Sequence, residues 1–164
     1  MGFKPSIEAK NWRVQSGVLA ANRSNDKSFI DFHTSAPETF KSQIPRVKAK
    51  LAKIETAQAK LVAAAKQLPK LFKTLHTQAP KIDAQAAKIE ALEQQIAEKE
   101  KELKKAAKNK TLKGELNALI TQHGGQVRVL KQMVAGFDAT LTNFQNTSQA
   151  AHEASMIAQD IQGM

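Results

Sequence analysis

Four histidines, a row of carboxylates and a lysine-rich stretch are the residues of this chain that could do chemistry. His33, His76, His123 and His152 have no histidine or carboxylate three or four positions away. That is the spacing that would place two metal ligands on one helix face. They therefore read as surface or rim histidines. The chain has no cysteine, which excludes disulfides, thiolate metal sites and a cysteine nucleophile. None of its seven glycines falls in a phosphate-cradling pattern such as G-x-x-x-x-G-K or G-x-G-x-x-G, and G-x-S-x-G is absent. Glu90, Glu93, Glu98, Glu100 and Glu102 alternate with lysines, the pattern of a solvated, salt-bridged helix face. These residues predict no catalytic group, no metal ligand, no cofactor and no small-molecule substrate. The expectation is a protein that is not an enzyme.

Gly124-Gly125-Gln126 matches the peptide-release tripeptide of translation release factors. Its flanks, Gln122-His123 and Val127-Arg128-Val129-Leu130, lack the rest of that signature and continue a helical apolar stripe. A bend or turn is the expectation there. The lysines point to an anionic partner. Residues 37–80 hold nine basic and two acidic groups, most of the net +10 of the chain. The candidates for contact with an anionic surface are Lys48, Lys50, Lys53, Lys60, Lys66, Lys70 and Lys73. Such a helix can neutralise phosphates with salt-sensitive affinity, or lie on an anionic membrane. The lysines occupy several heptad positions, and Phe40, Phe72, Phe137 and Phe144 fall on apolar seams. Nucleic-acid binding, as one alternative, would therefore be non-specific.

The elements that carry these residues are helical. The chain has 164 residues, 5% aromatics and 26 alanines, and its Ala, Lys, Gln and Glu suit helices better than strands. Apolar residues at Phe40, Ile44, Val47, Leu51, Ile54, Gln58, Leu61, Ala65, Leu68, Phe72 and Leu75 alternate in steps of four and three, with Gln58 the one polar member. That is a heptad seam. Ser35-Ala36-Pro37-Glu38 fits a capping box that opens this helix. Pro69 predicts a kink and Pro80 an end. Ile82, Ile89, Leu92, Ile96 and Leu103 continue the repeat, weakened by Gln85 and Lys99. Leu112 lies nine positions after Leu103. At about 100° per residue it falls on the opposite face, so the chain should turn near Lys108-Asn109-Lys110-Thr111. A third stripe runs from Leu112 to Phe144, and small residues continue it thinly into the tail.

The spacing predicts an all-α fold: an elongated antiparallel helical hairpin or three-helix bundle with coiled-coil packing. The expected organisation is a head over 1–36 and a helical body over 37–164. Helices are expected near 37–78, 81–107 and 111–145, with a weak tail helix at 146–162. The head is ambiguous between a β-hairpin and a short helix from Ser6 to Ala21, with Ile7, Val14 and Val18 on one side. The expected function is that of an assembly subunit or adaptor whose helices meet another protein or a second copy, as a homo-oligomer. The residues expected to make that contact are Trp12, Phe29, Phe32, Leu51, Ile54, Gln58, Leu61, Leu68 and Phe72. The alternatives are an amphipathic membrane-binding protein of the pore-forming type and a basic nucleic-acid-associated protein. No apolar run approaches the roughly 20 residues of a membrane span. With no signal-peptide core at the start, the expected compartment is the cytoplasm, with signal-independent secretion as the alternative.

Overall fold

A computed structural model describes residues 5–43 and 51–162. Three helices pack against each other: α1, Ile7–Gln43; α2, Leu51–Lys105; and α3, Lys110–Gln162. No strand occurs among the described residues. The all-α expectation holds.

The head is helical, so the β-hairpin alternative falls. Ser6 caps α1: its Oγ accepts the amide of Ala9 at 3.1 Å, and Glu8 places a negative charge in the first turn. The polar Asn/Ser/Asp cluster Asn22-Arg23-Ser24-Asn25-Asp26, where a hairpin would turn, lies inside this helix. The capping box at Ser35 is corrected too. α1 runs through Pro37, and the Ser35 hydroxyl donates back to the carbonyl of Phe32 at 2.8 Å instead of capping a new helix. Phe40, whose side chain is not described, and Ile44 and Val47, outside the described residues, leave that part of the seam unread.

α2 passes through Pro69 and Pro80 without ending, which corrects the predicted stop at Pro80. Each proline removes one backbone donor. The cost is offset by a single buried column that continues on both sides: Ile54, Leu61, Leu68 and Leu75, then Ile82, Ile89, Ile96 and Leu103, every seventh residue. The predicted turn is where the helices change. α2 ends at Lys105 with Lys104 and Lys105 in its last turn, where cations complement the helix dipole. Asn109 then caps α3, its Oδ1 accepting the amides of Thr111 at 3.0 Å and Leu112 at 3.2 Å. α3 has no break at residue 145; the tail belongs to the same helix. Gly124 and Gly125 sit within it, with no positive φ, so the apolar stripe continues through them in one helix and of the bend or turn expected there the turn falls.

The chain forms two compact units, each built from all three helices. One combines Met1–Ala20 with Thr77–Phe137, the other Ala21–His76 with Asp138–Met164. In the first, Trp12 meets Asp83 and Ser6 meets Glu93, so α1 and α2 run antiparallel. Gln85 meets Gln126 and Lys99 meets Glu115, so α2 and α3 are antiparallel as well. Its core joins Ala9 and Trp12 to Ile82, Ile89, Leu130 and Phe137. The second unit buries Ile30 of α1, Ile54, Leu61 and Leu68 of α2, and Phe144, Ala151 and Ala154 of α3.

Candidate interaction surfaces

In the first unit the start of α1 is held by one aromatic anchor and a set of carboxylates. Trp12 is 1% exposed and stands edge-on to Phe137, ring centroids 4.8 Å apart. Its indole N–H donates to Asp83 Oδ1 at 2.8 Å, which satisfies the one polar atom of a buried tryptophan. Asp83 also accepts from Arg13 at 3.4 Å and from Ser16 at 3.3 Å. Arg13 reaches on to Glu90 at 3.2 Å. The Glu90 hydrogen bond and the charges of Glu90 and Asp83 hold its guanidinium above its ordinary pKa. Glu8 pairs with Lys131 of α3 at 3.2 Å. The amide at its own position and then Lys131 hold its carboxyl below the ordinary value.

Glu93 sits at the centre. Its Oε1 accepts the Ser6 amide at 2.6 Å and lies 3.0 Å from His123 Nε2. His123 is buried, and so is His33 in the second unit; both correct the expectation of surface histidines. His123 occupies the apolar column of α3, seven residues after Leu116 and seven before Leu130, so a carboxylate meets it there. Gln85, which weakened the seam in sequence, donates to Gln126 Oε1 at 2.7 Å and to its carbonyl at 3.0 Å. Lys99 pairs with Glu115 at 3.0 Å and Glu102 at 3.3 Å.

The other side of α1 is uncovered. Ile7, Val14 and Val18 are 70%, 68% and 56% exposed. They lie about 120–180° around the helix from Ala9 and Trp12, at about 100° per residue. This segment is therefore apolar on two opposite sides, one of them buried within its own unit.

The second unit places the residues expected to meet partners. Ile54, Leu61 and Leu68 are buried within the unit, while Leu51, Gln58, Phe72 and Phe29 are half-buried. Phe32 is 59% exposed, and it packs edge-on against His33 at 5.1 Å. Of the nine expected contact residues, Phe32 alone offers a largely open apolar side chain. Trp12, in the first unit, is an interior anchor. Lys53, Lys60, Lys66, Lys70 and Lys73 are exposed; Lys48 and Lys50 lie outside the described residues. Phe72 stacks on His76, centroids 4.3 Å apart. Burial, and then Arg23, push the His76 imidazole below its ordinary pKa, against the pull of Asp26. Burial raises the Asp26 carboxyl, with His76 opposing.

No group of three or more metal-ligating side chains is gathered among the described residues. No helix among them is long and apolar enough to cross a membrane. No family model, curated protein or solved structure matches this chain.

Proposed function

We propose that the protein is a non-catalytic helical assembly subunit or adaptor that works through helix–helix contacts, with a second copy or another protein as its partner. The observation that carries this reading is the outer side of α1. Ile7, Val14 and Val18 stand largely in solvent on a helix whose opposite side is docked by Trp12 and five carboxylate-centred contacts. Three large aliphatic side chains on one stripe are the surface that a partner helix covers. The chain lacks cysteine, so Val14→Cys supplies a unique thiol for the test. A spin label at position 14 should be immobilised when the partner or a second copy is bound, while one at exposed Ala59 on α2 stays mobile. Equal mobility at both positions under all conditions contradicts the reading.

A second reading rests on Lys66, Lys70 and Lys73, spaced i, i+4, i+7 along one side of α2 and exposed. This stripe favours attraction to an anionic surface, a membrane or a nucleic acid, without sequence specificity. Co-sedimentation with neutral and anionic vesicles, and mobility shift against salt, test it. Loss of all binding above about 100 mM salt leaves only weak electrostatic contact. A cytoplasmic location is part of the first reading.

A further inference from the structure

In the first unit the groove that receives α1 continues beyond the start of α1. The contacts to α1 come from Asp83, Glu90 and Glu93 on α2 and from Phe137 on α3, with His123 beside Glu93. Shifting these positions by whole heptads towards the α2–α3 turn leads to Glu100 and Lys104 on α2 and Leu116 on α3, with Ala107 in the turn just past the end of α2. Those residues, with Leu103 and Lys113, line one groove of about 520 Å³. Helix positions seven apart share a face, so this is the same groove at a later register. α1 begins opposite Glu93, where the Ser6 amide docks. From Glu93 to Lys105, the last residue of α2, is 12 residues, about 18 Å of helix at 1.5 Å per residue. The floor is apolar: Leu103 and Leu116 are buried in the cluster with Ile96.

The charge reverses along this groove. Where α1 docks, the α2 flank carries Asp83 and Glu90, and α1 answers with Arg13. The position equivalent to Asp83 and Glu90 nearer the turn is Lys104, with Lys113 of α3 lining the same groove, while Glu100 keeps a carboxylate at the register of Glu93. Residues 97–115 hold seven lysines and four glutamates. A second copy would bring its own Arg13 or its own lysines against this flank, so like charges oppose self-docking.

We propose that this groove is a docking site for a helix of another protein, one that presents apolar side chains as the inner side of α1 does with Ala9 and Trp12, but carries a carboxylate where α1 has Arg13. The assignment rests on the adaptor reading and names the kind of partner. The register that seats α1 supplies the geometry, and Lys104 and Lys113 supply the selection. The probe is a synthetic peptide of residues 6–20 carrying Arg13→Glu, titrated into the full isotope-labelled chain, with the unmodified peptide as control. The Arg13→Glu peptide should move the amide signals of residues 100–107 and 113–116 and bind at least tenfold tighter than the control at low salt. Lys104→Glu with Lys113→Glu, two exposed positions whose change should leave the helical circular dichroism intact, should reverse that preference. Equal affinity of the two peptides, no reversal, or no response at the tip overturns the assignment. So does binding that appears only after residues 1–4 are removed, which would make the start of this chain the occupant. A silent tip beside an immobilised label at position 14 overturns the groove and leaves the adaptor reading standing.

Discussion

Replacing Asp83 with alanine tests how α1 is held. Trp12 is 1% exposed and Asp83, whose side chain is 38% exposed, is the acceptor of its indole N–H, so the substitution removes that acceptor at the edge of the core. An orphaned buried donor costs about 1–3 kcal/mol. Arg13 and Ser16 also lose a partner, but the Arg13 side chain is 43% exposed and keeps Glu90, so that loss is worth at most about 1 kcal/mol. The expected destabilisation of Asp83→Ala is about 1–3 kcal/mol, a fall in melting temperature of about 2–12 °C for a chain of this size. Asp83→Asn keeps an oxygen acceptor and should cost about half as much. Trp12 is the one tryptophan and there is no tyrosine, so intrinsic emission in a urea titration reports this site alone. The Asp83→Ala protein should also show a red-shifted emission maximum before unfolding begins. A loss below about 0.5 kcal/mol with unshifted emission would refute the claim that Asp83 satisfies the buried indole.

Three further outcomes follow from the same geometry. Gly124→Ala with Gly125→Ala should stabilise the protein by about 1–2 kcal/mol in thermal melts, because both lie in α3 with open space at the Cβ position and helical glycine costs about 0.5–1 kcal/mol against alanine; a loss would mean that the pair serves a bend. Burial raises the Asp26 carboxyl, so its ionised form opposes folding at neutral pH and the penalty fades as pH falls through the folded-state pKa. Asp26→Asn should then be more stable by up to about 0.5 kcal/mol at pH 7 and indistinguishable in strong acid; urea midpoints at both pH values decide it. His76 is held below its ordinary 6.5 by burial. The unfolded chain takes up that proton more readily, so stability is full above about pH 6.5 and falls as pH drops through it. His76→Gln should flatten that limb of the stability–pH curve, and an unchanged limb would remove His76 as its source.

The helices were legible in the sequence because burial follows spacing. Ile54, Leu61, Leu68 and Leu75 are one face of α2, and the step from Leu75 to Ile82 is again seven. That unbroken step outweighed Pro80: a proline breaks one hydrogen bond, whereas a column of buried aliphatic residues on both sides keeps the helix worth continuing. The turn at Ala106–Asn109 showed as a jump in phase. Ser35 misled because a capping box is a local signal, and α1 had already begun at Ser6, where a serine and the carboxylate of Glu8 do the same work. The head misled because its polar Asn/Ser/Asp cluster reads as a turn when its inward side, Ala9, Trp12, Ile30 and His33, is not recognised as one face. The contacts of Asp83, Glu93 and His123 were hidden for another reason. Each joins residues from different helices, and no spacing within one helix announces them. His123 alone left a trace, as a polar residue at a seven-residue position of the α3 stripe. The exposed stripe of Ile7, Val14 and Val18 was visible, but the sequence does not distinguish an inner side from an outer one.

The central claim is that the outer side of α1 meets a helix from a second copy or a partner protein. Light scattering across a wide concentration range, on the full chain and on the Val14→Glu, Val18→Glu variant, tests it most directly, with any copurifying partner present. Both substituted positions are largely exposed, so the variant should keep its helical signal and its Trp12 emission. The parent should show a mass above that of the 17.9 kDa chain and the variant the monomer mass. A parent that stays monomeric at every concentration and with every partner offered, or a variant that assembles as the parent does, would contradict it.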